Sequence, residues 1–304
     1  MPAVWDADSE LSSEEGRRLI ERQFPTLAPA RLEFFGVGWD NLAFLVNERF
    51  VFRFPRRRIA AGLIEREIRV LPHLAPHLSL PIPAPLFAGK PEAAYPYAFA
   101  GYPRIPGITT CQTDLSDAER ARNAAPLARF LAQLHKIPVD EQTRAEGPGD
   151  DIERANIAKR APHVQERLRA LAPQLAGVDV DALLARLDWL AVIPPRAEPP
   201  CWVHGDLYAR HLLLNDDRCL CGVIDWGDVH LGDPALDLSI AFSFLPPNAR
   251  DTFRQVYGPI DAATWDRAQF RAIHYGVVLV SYGADVGDDA IRAIGEYALR
   301  TALA

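Results

Sequence analysis

The sequence predicts an α+β protein of two lobes. A small, antiparallel β-rich lobe covers residues 1–105, and a larger, mainly helical lobe covers residues 106–304, with a hinge at about 102–107. Three observations carry this. Between residues 32 and 54, three short runs of branched and aromatic residues are separated by turn residues, the texture of an antiparallel meander. Nine prolines between residues 72 and 106 exclude a long helix there and favour extended strands and connectors. After Gly107, apolar residues recur at helical spacing over most of the remaining chain.

The elements follow in order. Ser12-Ser13-Glu14-Glu15 contains a Ser-x-x-Glu capping box, and Leu19, Ile20 and Phe24 keep helical spacing until Pro25. Strands are predicted over 32–37, 42–46 and 50–54. Ile64, Ile68 and Leu71 mark a helix over about 65–74. Residues 97–105 read as an edge strand leading into a linker. Ser116-Asp117-Ala118-Glu119 is a second capping box, followed by the stripe Leu127, Phe130, Leu131 and Leu134 up to His135. Residues 152–192 are helical in pattern. Residues 207–224 read as short strands around a turn at Asn215-Asp216-Asp217, and the chain is mostly helical from Ala235 onward.

Composition narrows the class. Of 304 residues, 49% are hydrophobic and 24% charged, which excludes disordered and fibrous readings. The formal charge of −7 leaves no broad basic surface for nucleic acid. The stretch Met1 to Asp8 is acidic and lacks the apolar core of a signal peptide. The apolar stretch Tyr275 to Tyr282 is too short to span a bilayer, so no membrane association is expected. Cys111, Cys201, Cys219 and Cys221 form no Cys-x-x-Cys pair and read as reduced thiols of a cytoplasmic protein.

The chemistry is concentrated in His204-Gly205-Asp206-Leu207-Tyr208-Ala209-Arg210-His211, then Ile224-Asp225-Trp226-Gly227, then Gly232-Asp233-Pro234-Ala235-Leu236-Asp237-Leu238. Phosphoryl transfer to a hydroxyl needs a carboxylate near the attacking oxygen and ligands that hold Mg²⁺ against nucleotide phosphates. Asp206, His211 five residues on, and Asp225 after the next hairpin supply that set.

These motifs resemble the aminoglycoside phosphotransferase family, small-molecule kinases with a two-lobed protein-kinase-like fold. The family pattern is His-Gly-Asp-x-x-x-x-Asn, Ile-Asp-[Trp/Phe] and Gly-Asp-Pro-x-x-Asp-Leu. It is matched in order over residues 202–239, with weaker matches over most of 34–135. The resemblance implies Asp206 as catalytic base, Asp225 as principal metal ligand, and His204 and Asp237 as supports of the catalytic loop. The family's Asn is His211 here. Histidine at that place recurs in the aminoglycoside 2''- and macrolide 2'-phosphotransferase branches, where imidazole can serve as metal ligand.

In the N-terminal lobe, Gly36-Val37-Gly38-Trp39-Asp40-Asn41 reads either as a glycine-rich cover over phosphates, with Gly36, Gly38 and Asn41 on the nucleotide, or as a plain hairpin turn. Arg53 sits in an apolar strand, where a charge needs a partner, and Glu67 on the next helix is the natural one. The strand Val51-Phe52-Arg53-Phe54-Pro55 resembles the 2''-phosphotransferase version of the kinase phosphate-gripping strand, with Arg in place of Lys. By the same resemblance Tyr102 is the gatekeeper and the backbones of Pro103 and Ile105 face the base. A bulky gatekeeper that shifts the base until Ile105 N–H meets a guanine carbonyl implies GTP use at least equal to ATP use.

The expected protein is therefore a monomeric enzyme moving the γ-phosphate of ATP or GTP, with Mg²⁺, to a small-molecule alcohol. An aminoglycoside- or macrolide-type antibiotic is the nearest family precedent. A metabolic alcohol or sugar kinase of the same fold and a nucleotide-binding pseudokinase are the alternatives. Asp206 and Asp225 are both intact, which opposes the pseudokinase. Protein-kinase signatures are absent. Carboxylates for a cationic acceptor are offered by Asp285, Asp288, Asp289 and Glu296, beside Trp265, Tyr275 and Tyr282. His135 reads as structural, and the role of His230 stays open between structure and substrate.

Overall fold

The computed structural model describes residues 11–38 and 40–303. The acidic start Met1 to Asp8 and Trp39 of the glycine-rich segment lie outside the described residues. The chain divides into two compact units. One comprises residues 1–76, 81–105 and 225–228, and the other residues 77–80, 106–224 and 229–304.

The first unit opens with α1 (Ser13–Gln23), whose capping box joins Glu15 N–H to Ser12 Oγ and Ser12 N–H to the Glu15 carboxylate. β1 (Leu32–Val37), β2 (Asn41–Val46) and β3 (Phe50–Pro55) form the expected meander. α2 (Arg58–Leu74) follows, then β4 (Phe87–Gly89) and β5 (Phe99–Pro103). The five strands are ordered β1-β2-β3-β5-β4, all neighbours antiparallel.

Two expectations are corrected here. The strand within 97–105 is interior, and the edge falls to β4. Glycines explain the placement: a Cβ on Gly101 would overlap the Phe52 ring of β3, and one on Gly89 would overlap the Phe99 ring of β5. Without side chains there, β5 fits between its neighbours. The helix expected over 65–74 begins at Arg58. Its cap residue Arg57 makes no side-chain capping bond, so no start signal was written in the sequence.

Strand alternation divides the sheet into two faces. Phe52 and Phe54 join Leu19 and Ile20 of α1, Phe44, Tyr95 and Phe99 in one aromatic core, where Phe54 stacks on Phe99 at 4.6 Å. Arg53 lies between them in sequence and so faces the side covered by α2, where Ile64 packs on Ala100 and Tyr102.

The second unit contains β6 (Ile108–Thr109), α3 (Asp117–Arg122), α4 (Ala124–Lys136), α5 (Glu141–Glu146), α6 (Ile157–Leu171) and α7 (Val180–Leu190). Next come β7 (Cys201–Val203), β8 (Leu212–Leu214), β9 (Leu220–Val223) and β10 (His230–Gly232). It ends with α8 (Ala235–Leu238), α9 (Ile240–Ser243), α10 (Arg250–Tyr257), α11 (Ala262–Val286) and α12 (Asp289–Thr301). The capping box at Ser116 is present, but the helix it starts is interrupted at Asn123. The buried Asn123 amide donates to the carbonyls of Glu119 and Arg218 and accepts from Leu220 N–H. That ties the helix junction to the β8–β9 hairpin.

One core of this unit is helical, with Leu168, Leu183 and Leu187 packed against Ile273, Val277 and Leu299. Residues 275–282 lie inside α11, and among the described residues no helix is long and apolar enough to cross a membrane. All four cysteines are free. The thiols of Cys219 and Cys221 donate to separate carbonyls, those of Asp217 and Pro106.

Candidate active site

In the first unit, four residues singled out from the sequence converge. Arg53 Nη1 donates to both carboxylate oxygens of Glu67, at 2.8 and 3.2 Å, and Arg53 Nη2 lies 3.3 Å from Asp225 Oδ1. Tyr102 donates its hydroxyl to Glu67 Oε2 at 2.6 Å. Glu67 is fully buried, and burial pushes its carboxyl up against the opposing pull of Arg53 and Tyr102. Burial also disfavours the Arg53 cation, but the carboxylates of Glu67 and Asp225 outweigh this and hold it charged. Burial and the neighbouring Glu67 raise the Tyr102 phenol well above its ordinary value. Asp225 takes a left-handed backbone, φ +66°, unusual for a residue with a side chain, and its carboxylate remains half exposed.

The glycine-rich segment ends β1 and turns into β2. Gly38 N–H donates to Asn41 C=O at 2.9 Å. Among the described residues, a Cβ built on Gly36 would meet nothing within 4 Å. Packing against the described residues therefore does not demand glycine at 36. Asn41 is buried and its Oδ1 has no hydrogen-bond partner among the described residues. Pro103 ends β5, and Ile105 closes this part of the unit.

In the second unit, the loop after β7 carries Asp206. Strand pairing of β7 with β10 fixes the start of the loop, and Gly205 takes φ +82°, a turn a side chain would resist. Asp237, from α8, braces the turn. Its carboxylate accepts His204 N–H at 2.7 Å and Gly205 N–H at 2.9 Å, and meets His135 Nε2 at 3.1 Å. Burial pushes the Asp237 carboxyl up, but the His135 bond and charge, with the Gly205 bond, win and hold it below its ordinary range. α8 is itself seated by Asp233, which accepts Ala235 N–H at 2.9 Å and pairs with the buried Arg267 of α11 at 2.6 Å.

Two histidines lock Asp206 through its backbone. His204 donates through Nε2 to Ile224 C=O, so its Nδ1 is the acceptor that takes Asp206 N–H at 3.3 Å. Burial lowers the His204 pKa and keeps this neutral tautomer. His211 meets the Asp206 carbonyl at 2.9 Å through Nδ1, which must carry the proton because a carbonyl only accepts.

The sequence reading did not single out Arg271. Its Nη2 lies 3.9 Å from Asp206 Oδ1, and its guanidinium covers the Tyr275 ring at 4.1 Å. Tyr275 in turn meets Tyr208, which contacts the His211 ring. No motif points to Arg271, and the only available signal was a charge set in the apolar pattern of a long helix. Among the late aromatics, Trp265 belongs elsewhere and packs on Phe242 and Phe253. His230 is fully buried on β10.

Known proteins are similar to this chain. The model of the phosphotransferase enzyme family matches residues 31–271. A viomycin phosphotransferase from Streptomyces vinaceus is 28% identical over 203 residues, 64% of this chain and 67% of the relative. Among solved structures, the GDP and kanamycin complex of APH(2")-IIia is 25% identical with a TM-score of 0.66, over 94% of this chain and 97% of that one. The GDP complex of a wild-type aminoglycoside 2'-phosphotransferase-IIIa has a TM-score of 0.69 at 24% identity, over 96% and 98%. A macrolide 2'-phosphotransferase type I has a TM-score of 0.62 at 20% identity, over 96% and 98%. The last two similarities establish the fold, a small antiparallel sheet unit and a helical unit of the kinase-like type. Since the family model spans most of the sequence, including both motif-bearing units, the chain belongs to the phosphotransferase enzyme family and is a small-molecule kinase that phosphorylates a hydroxyl group.

Proposed function

We propose that this chain transfers the γ-phosphate of ATP or GTP to a hydroxyl of an antibiotic-type small molecule, with Asp206 as the base. The observation that carries the reading is the Asp206 loop. The carboxylate is about a quarter exposed while its backbone is held by His204 and His211 and its turn by Asp237. A group so fixed accepts a proton without reorganising its surroundings. The acceptor oxygen attacks the γ-phosphorus, the bond from that phosphorus to the β-phosphate oxygen breaks, the hydroxyl proton passes to Asp206, and the nucleoside diphosphate leaves.

Arg53 grips the nucleotide phosphates, and Glu67 and Tyr102 fix its direction. The open space over Gly36 supports close approach of a phosphate to the backbone. Pro103 and Ile105 offer backbone groups to the base. Among the described residues, no cluster of three or more metal-ligating side chains is present. Nucleotide-bound Mg²⁺ does not require one, because it keeps waters and phosphate oxygens and takes one or two protein ligands. Asp225, whose carboxylate is half exposed, and His211 are assigned that role. Bound there, Mg²⁺ would neutralise charge developing on the phosphates.

The acceptor class is supported by the relatives, whose names specify aminoglycoside, macrolide and viomycin phosphotransferases. GDP complexes among them support a nucleotide donor that includes GTP. The four free thiols suit a reducing cytoplasm. The test is phosphate transfer from ATP and from GTP to aminoglycosides, macrolides, viomycin and small metabolic alcohols. Transfer to at least one acceptor, lost in Asp206→Asn, is expected. Transfer undiminished in that variant would remove Asp206 from the mechanism.

A further inference from the structure

Asp150 lies in the loop between α5 and α6, and its Oδ1 is buried yet accepts no hydrogen bond among the described residues. Arg154 Nη1 stands 3.6 Å from that oxygen, an ion pair longer than a hydrogen bond. The other oxygen, Oδ2, accepts Ala155 N–H at 3.0 Å. Burial pushes the carboxyl up, but the N–H groups of Arg154 and Ala155, with His230 and the Arg154 charge, outweigh this and hold it below its ordinary range. The group is therefore an anion that accepts hydrogen bonds and donates none. A buried acceptor of this kind ordinarily has a partner, because leaving it without one costs free energy.

The fold sets this carboxylate near the Asp206 loop. Two residues before it, the Pro148 carbonyl accepts Leu231 N–H of β10 at 2.8 Å, which docks the loop on that strand. On the same strand His230 pairs with Val203 of β7, and β7 runs directly into His204-Gly205-Asp206. Arg271 carries the same proximity: its charge feels both Asp206 and Asp150, and its Nη2 lies 3.9 Å from Asp206 Oδ1. Asp150 keeps 18% of its side chain exposed and Asp206 keeps 26%, so both border the surface that an acceptor approaches. Two carboxylates that the sequence offered to a cationic acceptor are already engaged. Asp288 caps α12 and pairs with Arg210 at 3.3 Å, and Glu296 pairs with Arg292 and Arg300.

We propose that Asp150 is a specificity-determining residue whose Oδ1 accepts a hydrogen bond from an ammonium or hydroxyl group of the acceptor, flanking the hydroxyl that Asp206 deprotonates. An amine-bearing antibiotic offers both kinds of donor, and a carboxylate holds an ammonium by a charge-assisted bond. Arg154, paired only loosely with Oδ1, yields it to the closer donor. The inference rests on Asp206 being the base of a kinase, and it deepens that reading by naming the side chain that reads the donors of the antibiotic.

The test measures nucleotide-dependent phosphate transfer and, separately, calorimetric binding of the acceptor with nucleoside diphosphate present. The acceptors are kanamycin and viomycin, each with its amines free and with its amines acetylated. The proteins are wild type, Asp150→Asn and Asp150→Ala, each checked for folding by thermal melting. In Asp150→Asn the amide oxygen keeps Ala155 N–H, and an NH2 group stands where Oδ1 was, so donor meets donor. Both variants should raise acceptor KM and Kd by about tenfold, the loss of one charge-assisted bond, with nucleotide KM unchanged. If the donor is an ammonium, acetylation weakens wild type as much and erases the difference between wild type and variants. If it is a hydroxyl, the difference survives acetylation. Unchanged acceptor KM and Kd in both variants overturn the inference while transfer continues and the kinase reading stands. So does a fall in kcat with KM and Kd unchanged, which would mark Asp150 as a support of Arg271 and Asp206. Acceptor binding that depends on Asp150 without any transfer overturns the kinase reading alone. A wild type that neither binds nor phosphorylates any of these acceptors overturns the inference together with the antibiotic reading.

Discussion

Phe52, Arg53 and Phe54 are consecutive on β3, yet the middle side chain faces a buried carboxylate while its neighbours face an aromatic core. Removing one partner of such a buried pair is costlier than removing both, because it leaves a charge without compensation. Arg53→Met should therefore destabilise the protein by about 3 kcal/mol. The double variant Arg53→Met with Glu67→Leu should recover most of that in a urea melt but not the loss of nucleotide affinity. If the double variant also regained wild-type nucleotide KM, the phosphate-gripping role of Arg53 would be wrong. At Asp206 the expectation is a split. Asp206→Asn keeps the shape and the backbone bonds of the loop but loses the proton acceptor. Its kcat should fall by about a hundredfold or more, with nucleotide affinity measured by calorimetry close to wild type.

Short elements hold the Asp206 loop, and none of them is stable on its own. α8 has four residues, too few for an independent helix, and is seated by Asp233, Arg267 and its burial. It matters because it presents Asp237 to two backbone N–H groups and to His135. Asp237→Ala would leave these donors buried and unpaired, with a cost of about 3 kcal/mol or more. Thermal melting and kcat should fall together, and a variant with wild-type melting would refute the bracing role. The junction of α3 and α4 offers an independent check. Asn123→Ala strands Leu220 N–H and the Arg218 carbonyl, so a loss of about 2 kcal/mol in chemical denaturation is expected.

For the molecule as a whole, buried histidines set the response to acid. The ordinary histidine pKa is 6.5; burial lowers both His204 and His274, the latter to about 3. As pH falls through 6.5, the unfolded chain takes up protons that the folded chain refuses. Each site then weakens the fold by about 1.4 kcal/mol per pH unit until its folded value is reached. Asp237 acts in the same direction at lower pH. Its depressed carboxyl contributes stability above the unfolded value of 3.8, and that is lost as pH drops through the folded value. The melting temperature should fall between about pH 7 and about pH 5, and His274→Phe should flatten the slope by one histidine's share. An unchanged slope in that variant would show that His274 takes up its proton as readily in the fold as in the unfolded chain.

The sequence by itself determined the meander, both capping boxes and the turn at Asn215, because each rests on neighbours a few residues apart. It also determined the motif-bearing loop and the pairing of Arg53 with Glu67. Phosphoryl transfer demands particular residue types in a fixed order, and a charge in an apolar strand demands a partner. Only the tertiary structure decided that β5 is interior, since strand order depends on how Gly101 and Gly89 receive rings from other strands. It also decided that a helix breaks at Asn123 to hold a distant hairpin. Arg271 lies outside every motif, 65 positions after Asp206. Its place beside Asp206 follows from how α11 packs, a long-range outcome that no local pattern encodes.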